Sequence, residues 1–185
     1  MGAKQVKETA MPQSYDTVAK TLHWAIVILI LPMLYYGFQA DNLPKEDRLG
    51  FFQLHAGIGL IILLLMLARL VWRIGHPAPP LPDGMPRWQQ IAAKASHHGF
   101  YLLVILQPLF GLLLTTTSKG NLKPFGLFGL HIAQNETLHE IGETLHGLNA
   151  WVLVALIAGH VLAALYHHFI RRDNVLKRMI PFVKA

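Results

Sequence analysis

The sequence predicts an all-α integral membrane protein folded as a four-helix bundle. Of its 185 residues, 53% are hydrophobic and only 14% are charged, and the mean hydropathy is +0.39. This composition is too apolar for an ordinary soluble domain of the same length. Four apolar segments also approach the length of about 20 residues that a helix needs to cross a bilayer. We therefore expect residues 1–185 to form a single membrane domain.

The four predicted spans cover about residues 19–38, 54–74, 98–117 and 145–169. Pro32 and Pro108 fall inside the first and third spans, where membrane helices tolerate proline better than soluble helices do. The proline-rich segment at residues 75–86 predicts an extended connector. We expect no cleavable signal peptide, because the first twenty residues are polar and the following apolar run is too long for one.

The basic residues predict the orientation of the spans. One side of the membrane holds 12 of the 16 Lys and Arg residues: Lys4, Lys7, Lys20, Arg69, Arg73, Arg87, Lys94, Arg171, Arg172, Lys177, Arg178 and Lys184. Both termini should therefore be cytoplasmic under the positive-inside rule. Because these residues flank the spans instead of clustering on a soluble face, nucleic acid is not an expected partner and membrane lipid is.

Four histidines occur at two depths in the predicted bundle. His146 and His160 are fourteen residues apart, so they share a helix face and are separated by roughly 21 Å. His55 begins the second span on the same side of the membrane as His146, and His23 begins the first span on the side of His160. The sequence thus predicts an outer pair, His55 with His146, and an inner pair, His23 with His160.

Two such pairs suit two haem b groups stacked across the membrane. A six-coordinate haem takes one neutral imidazole on each axial side, and bundles hold such groups between facing helices. We expect small residues beside the histidines to leave room for the macrocycle: Gly57, Gly59, Gly147 and Gly159. The alternatives are histidines that only form packing hydrogen bonds, or zinc or copper sites. Two imidazoles per layer without cysteine or an acid make a poor metal cage.

Several stretches resemble the prokaryotic dihaem cytochrome b561 family. They are "TLHWAIV", "HAGIGLIILLLMLARL", "HGFYLLVILQPLFGLL" and "HGLNAWVLVALIAGHVLAALYHHFIRRDNVLKRMIP". The resemblance covers most of the chain and implies that His23, His55, His146 and His160 are the axial ligands of the haem irons. It also implies a bacterial inner-membrane oxidoreductase that oxidises superoxide to dioxygen at the periplasmic side and reduces ubiquinone.

The remaining polar residues near the membrane surfaces predict secondary sites. His97, Tyr101 and His167 are candidates for contacting quinone at the cytoplasmic side, although such residues also anchor spans at the interface. Arg69 and Arg73 either pair with a haem propionate or extend to the interface. On the outer side, Lys119, Lys123 and His131 are candidates for attracting superoxide, while solvated loop positions are favoured for His131 and His139.

Two other functions fit the same pattern. The first is a cytochrome b subunit that docks a periplasmic redox partner, a dehydrogenase or hydrogenase, and relays its electrons to quinone. The second is a haem-free transporter whose histidines relay protons, as ionisable residues inside a membrane often do. A colourless purified protein would favour the second alternative.

Overall fold

The computed structural model describes residues 14–183 and is helical throughout its long elements. Lys4, Lys7 and Lys184 lie outside these residues. The four main helices are α1 (Thr17–Gln39), α2 (Lys45–Gly75), α3 (Arg87–Thr116) and α4 (Glu136–Tyr166). Each of the four is long and apolar enough to cross a membrane, and the described residues contain no strand. The predicted all-α, four-span fold class is confirmed.

Helices α2, α3 and α4 begin earlier than the predicted spans because they continue into polar sequence. The first turn of α2 carries Glu46 and Asp47, whose charges suit a helix N-terminus. The Asn135 side chain caps α4 by accepting a hydrogen bond of 3.0 Å from the Leu138 N–H. Hydropathy finds the apolar part of a helix, whereas its caps determine where the helix begins.

The start of α1 is fixed to the end of α2 through Asp16. The Asp16 carboxylate accepts hydrogen bonds from the Ala19 N–H at 2.9 Å and from the Trp72 indole at 3.1 Å. Partial burial by itself would raise the pKa of Asp16, but these two hydrogen bonds, together with nearby His76 and the Val18 N–H, outweigh it and lower the pKa below its usual 3.8. One side chain thus caps α1 and joins two helices.

The helices alternate in direction and pack unequally. The five-residue link between α1 and α2 makes these helices antiparallel neighbours. Helices α3 and α4 approach each other most closely. At Gly142 a Cβ atom would lie only 2.7 Å from the Leu114 backbone nitrogen, so this approach requires glycine. The backbones of α1 and α2 remain farther from α4. The bundle therefore has more room between α4 and the first two helices.

The apolar core lies at mid-height in the bundle. It consists of Ile26, Ile62, Met66, Val104 and Leu153, all nearly inaccessible to solvent. Leu153 is seven residues from both His146 and His160, so the core occupies the level between the two predicted histidine pairs. Large apolar side chains such as Ile28, Leu64 and Leu162 point outward, as expected for helices that face lipid.

The link between α3 and α4 folds against α2 at one end of the bundle, here called the loop end. Its short turn Pro124–Gly126 places Phe125 in the left-handed region, with φ at 53°. The Phe125 ring packs against Gly57, where any larger residue would collide with it. Gly57 therefore accommodates the loop instead of leaving space as expected, whereas Gly59, Gly147 and Gly159 face open space.

The opposite end of the bundle, here called the termini end, is covered by the segment that follows α4. The Ser14 hydroxyl donates to the Arg178 carbonyl at 3.0 Å, and the Trp24 indole donates to the Met179 carbonyl at 2.9 Å. The Arg178 guanidinium in turn donates to the Pro80 carbonyl in the connector between α2 and α3. The C-terminal segment thus joins three otherwise separate parts of the chain.

Candidate haem sites: two histidine pairs

The outer pair joins α2 to α4 near the loop end. The ring centroids of His55 and His146 are 6.1 Å apart, and the ring planes meet at 64°. Glycines lie beside both imidazoles, since a Cβ atom at Gly37 would be 3.7 Å from His55 and one at Gly111 would be 3.2 Å from His146. Helices α1 and α3 therefore leave space for these rings.

The inner pair joins α1 to α4 near the termini end. The ring centroids of His23 and His160 are 6.4 Å apart, with an interplanar angle of 66°. Trp24 lies edge-on to His23 at 5.5 Å, and Phe100 lies edge-on to His160 at 5.2 Å. The structure thus brings together the residues that the sequence paired by depth.

The spacing within each pair suits a metal held between two imidazoles. With about 2 Å from the metal to each ring nitrogen, the two ring centroids lie roughly 6 Å apart. The observed separations of 6.1 Å and 6.4 Å match this value. Because α1 and α2 stay farther from α4 than α3 does, a flat macrocycle between the paired imidazoles also fits the backbone. The residues present are therefore compatible with haem.

The hydrogen bond made by His146 leaves one ring nitrogen available for a metal. Its Nδ1 lies 3.0 Å from the Gln107 carbonyl oxygen. Because a carbonyl only accepts, Nδ1 carries the hydrogen and the neutral ring keeps a lone pair on Nε2. Metal-bound histidines commonly show this arrangement, which fixes the tautomer and the ring orientation. His55 differs, because its buried Nδ1 has no hydrogen-bond partner among the described residues.

Two amide side chains hold the His146 region against α3. The Gln107 side chain donates to the His146 carbonyl at 3.1 Å. The Asn149 amide donates to Gln107 Oε1 at 2.6 Å and to the Leu103 carbonyl at 2.9 Å. Asn149 is only 7% exposed. Sequence reasoning overlooked both residues, although polar side chains inside apolar spans are themselves a signal of function.

We expect Asn149→Leu to destabilise the protein by about 1–3 kcal/mol, because it leaves Gln107 Oε1 buried without its donor. Thermal unfolding in detergent measures this loss. The matched control is Asn42→Ala, which removes a similar bond of 2.7 Å to Gln39 at an exposed position. A loss of equal size in the control would show that burial of the Asn149 cluster has no special role.

A third imidazole lies beside the inner pair. The His97 ring centroid is 6.1 Å from that of His160, as near as the His23 ring is. Its position on α3 places it one turn from Tyr101, which packs against the apolar core. His97 thus lies at the inner pair with Tyr101 one helical turn away, and their predicted contact with quinone stays a prediction. His167 is seven residues beyond His160, at the termini end of α4, and its ring contacts Tyr166 and Asp173.

Positive charge gathers around the inner pair. Arg69 on α2 is close enough to His23, His97 and His160 to interact with all three electrostatically. The Arg73 guanidinium lies 5.8 Å from the centre of the Tyr15 ring. Burial raises the pKa of Tyr15 above its usual 10, although Arg73 and Arg69 act in the opposite direction. This charge suits an anionic group such as a carboxylate beside the inner pair.

The loop end differs from its prediction at His139. This residue lies in α4, and its Nδ1 donates to the Leu114 carbonyl at 3.0 Å, so it is not a solvated loop residue. His131 is exposed, as expected. Lys119 and Glu136 form an exposed ion pair of 3.9 Å, which weakens Lys119 as an attractor of anions. Lys123 lies beside the buried Pro124 turn.

Zinc and copper are the alternatives to haem at these histidines, and both need more protein ligands than a pair of imidazoles offers. Among residues 14–183, no group of three or more His, Asp or Glu side chains is arranged to hold a metal ion. Closed zinc sites need four ligands and catalytic ones need three. Pairs of imidazoles without a third protein ligand are instead the set that haem requires, because the porphyrin supplies the other donors.

Four membrane-crossing helices that carry paired imidazoles form the architecture of a membrane-bound b-type cytochrome. Comparison with known proteins identifies the family, because the sequence matches the prokaryotic cytochrome b561 family over residues 14–182. The chain belongs to that family and is a multi-pass membrane protein of electron transport. Its membership implies that it binds b-type haem.

Individual relatives cover nearly the whole chain. Cytochrome b561 homolog 2 of Escherichia coli is 31% identical over 179 residues, which is 93% of this chain and 94% of the relative. The probable superoxide oxidase CybB of Yersinia pestis is 29% identical over 174 residues, or 92% and 98% of the two chains. Cytochrome b562 of Cereibacter sphaeroides is 28% identical over 173 residues, or 90% and 94%.

Proposed function

We propose that this protein binds two haem b groups and uses them to pass electrons from superoxide to ubiquinone. The observation that carries the proposal is the presence of two imidazole pairs at two depths, with ring separations of 6.1 Å and 6.4 Å. His55 and His146 would hold the outer haem, and His23 and His160 the inner haem. Similarity to a probable superoxide oxidase supports the choice of electron donor.

Bound haem supplies one-electron redox chemistry, which the apolar bundle cannot supply by itself. The protein's own residues orient and insulate the two sites. The bond from His146 to the Gln107 carbonyl fixes one imidazole, and the dry core around Leu153 keeps water out between the pairs. Arg69 places positive charge at the inner pair, where it would stabilise a carboxylate of the cofactor.

The overall reaction takes one electron from each of two superoxide ions and releases two dioxygen molecules. One ubiquinone accepts both electrons and two protons and becomes ubiquinol. Superoxide would react at the loop end, facing the periplasm, and ubiquinone at the termini end, facing the cytoplasm of a bacterium. The positive-inside rule supports this orientation in the inner membrane, since most Lys and Arg residues lie at the termini end.

His97 and Tyr101 are the residues best placed to meet quinone. His97 adjoins His160, and Tyr101 lies one helical turn away on α3. An imidazole and a phenol in this position offer hydrogen-bond donors to a quinone carbonyl. His167 lies nearer the termini end, in the turn that directly follows α4, and would serve the same site from there.

An electron-relay subunit is the second candidate function. The observation that favours it is exposed apolar surface on the link between α3 and α4, where Leu127 is 75% exposed and Ile132 is 80% exposed. Such side chains suit contact with a periplasmic dehydrogenase or hydrogenase. A relay subunit would copurify with its partner and would stay oxidised when mixed with superoxide alone.

The reaction with superoxide is tested by rapid mixing of the oxidised, haem-loaded protein. We expect the haems to become reduced as soon as superoxide is mixed in. Ubiquinone, added second, should then reoxidise them. Visible absorption spectra follow both steps, and superoxide dismutase added beforehand is the control that should abolish the first. Haem that stays oxidised in superoxide but is reduced by a copurifying enzyme would favour the relay subunit instead.

A further inference from the structure

His167 forms a short, partly buried pair with an acid at the termini end. Its Nδ1 lies 2.6 Å from Asp173 Oδ2. The other carboxylate oxygen accepts a bond of 3.0 Å from the Val175 N–H, so both oxygens of Asp173 act as acceptors. This pattern fits a carboxylate that accepts from the His167 Nδ1–H and from the backbone.

The backbone around this pair departs from a regular α-helix. After α4 the chain forms a π-helical turn over His167–Arg171, and Arg172 then adopts a left-handed conformation with φ at 56°. The Asp173 N–H bonds to the His167 carbonyl at 3.2 Å, which closes the turn and brings the carboxylate back to the ring. Such π-helical turns occur often at functional sites.

The pair spans the boundary between water and the protein interior. The Asp173 side chain is 23% exposed, whereas the His167 side chain is only 10% exposed. His167 shares a helix face with His160, from which it is separated by roughly 10 Å along α4. Along the chain, the imidazole therefore lies between the more exposed acid and the inner pair.

We propose that Asp173 and His167 form a proton relay that serves quinone reduction at the inner pair. The proposal rests on the quinone-reducing function proposed above. In it, His167 is the proton donor that contacts quinone, and Asp173 is the positioning residue that stabilises its protonated form.

Quinone takes two electrons, supplied by two superoxide ions, and two protons. The imidazolium of His167 gives its Nε2 proton to a quinone oxygen, while Nδ1–H stays bonded to Asp173. The neutral imidazole then regains a proton at Nε2 from a water molecule, and a second cycle supplies the second proton. Asp173 keeps its negative charge throughout, which favours the cationic ring before each transfer.

The pair of Asp173 and His167 could instead have a purely structural role and close the helix end without moving protons. The substitution Asp173→Asn distinguishes this structural role from proton delivery. Asparagine is nearly the same size and retains one acceptor oxygen, but it removes the charge. Asp173→Glu keeps the charge on a longer side chain. His168→Gln is the matched control, because this neighbouring histidine packs edge-on against Phe169 instead of pairing with Asp173.

The experiment uses the intact haem-loaded protein, reduced with a stoichiometric amount of dithionite, so it does not depend on superoxide. A short-chain ubiquinone is then mixed in, and reoxidation is followed at increasing quinone concentration in H₂O and D₂O. We expect Asp173→Asn to slow the saturating rate at least about tenfold and to increase the solvent isotope effect. The quinone concentration at half-saturation should stay the same, Asp173→Glu should recover most of the rate, and His168→Gln should match the native protein.

Two results would overturn the relay, and they are distinct. Native-like saturating rates in Asp173→Asn, or a change confined to half-saturation, would show that the pair is structural while quinone reduction itself stands. Failure of the native protein to be reoxidised by ubiquinone would overturn the quinone function and the relay with it. Absorption spectra recorded before mixing verify that each variant keeps its haem. If an Asp173 variant loses haem, His167→Gln is used in its place, because it removes the proton donor itself.

Discussion

We expect His146→Ala to abolish one of two b-haem components in the reduced absorption spectrum, and His55→Ala to abolish the same one. His23→Ala and His160→Ala should each abolish the other component. The physical reason is that each imidazole pair, with ring separations of 6.1 Å and 6.4 Å, would hold its own haem in the proposed assignment, so removing either partner would leave an iron with a single protein ligand. Low-temperature spectra of purified variants resolve the components.

Two further variants make this test specific. His139→Ala is the matched control, because His139 is also on α4 and also donates Nδ1–H to a carbonyl, but it belongs to neither pair. It should retain both components. His97→Ala should do the same, although the His97 ring is as close to His160 as the His23 ring is. Loss of the same component in His55→Ala and His160→Ala would show that the pairing is wrong.

Gly142→Ala separates α3 from α4 and lowers the stability of the bundle. The added Cβ atom would lie 2.7 Å from the Leu114 nitrogen and 3.0 Å from its Cα, and backbone atoms cannot move aside as a flexible side chain can. Overpacking of this kind costs about 1–3 kcal/mol. Because Gly142 lies four residues from His146, we also expect weaker retention of the outer haem during heating.

Thermal unfolding in detergent, followed by both helicity and haem absorbance, measures the effect of Gly142→Ala. Gly50→Ala provides the control, since Gly50 lies on α2 near the same end of the bundle with no neighbouring atom in the way. The control should keep native stability or gain slightly from the better helix propensity of alanine. Equal stability of Gly142→Ala and Gly50→Ala would contradict the close approach of α3 to α4.

The fold and the histidine pairs were predictable because both follow from periodicity along single helices. Hydropathy located the four spans, and fourteen-residue spacing placed His146 and His160 on one face of α4. Span boundaries were less accurate, since α2 begins at Lys45 and not near residue 54. Capping residues and charged first turns extend helices beyond their apolar parts, and hydropathy does not register them.

Contacts between helices were not predictable in the same way. The cluster of Gln107, Asn149 and His146 depends on how α3 and α4 rotate against each other, which a single sequence does not specify. The pairing of His167 with Asp173 depends on a π-helical turn and a left-handed residue, both of which break regular periodicity. Gly57 was misinterpreted for the same reason, because Phe125 reaches it from a distant loop.

The number and ligation of the haems test the account most directly. Haem extracted from the purified protein and quantified per polypeptide, together with electron paramagnetic resonance of the oxidised form, measures both. The two imidazole pairs predict two haem b groups per chain, each giving a low-spin signal typical of two axial histidines. One haem per chain, or a high-spin signal from fully loaded protein, would contradict the assignment of His23, His55, His146 and His160 as two ligand pairs.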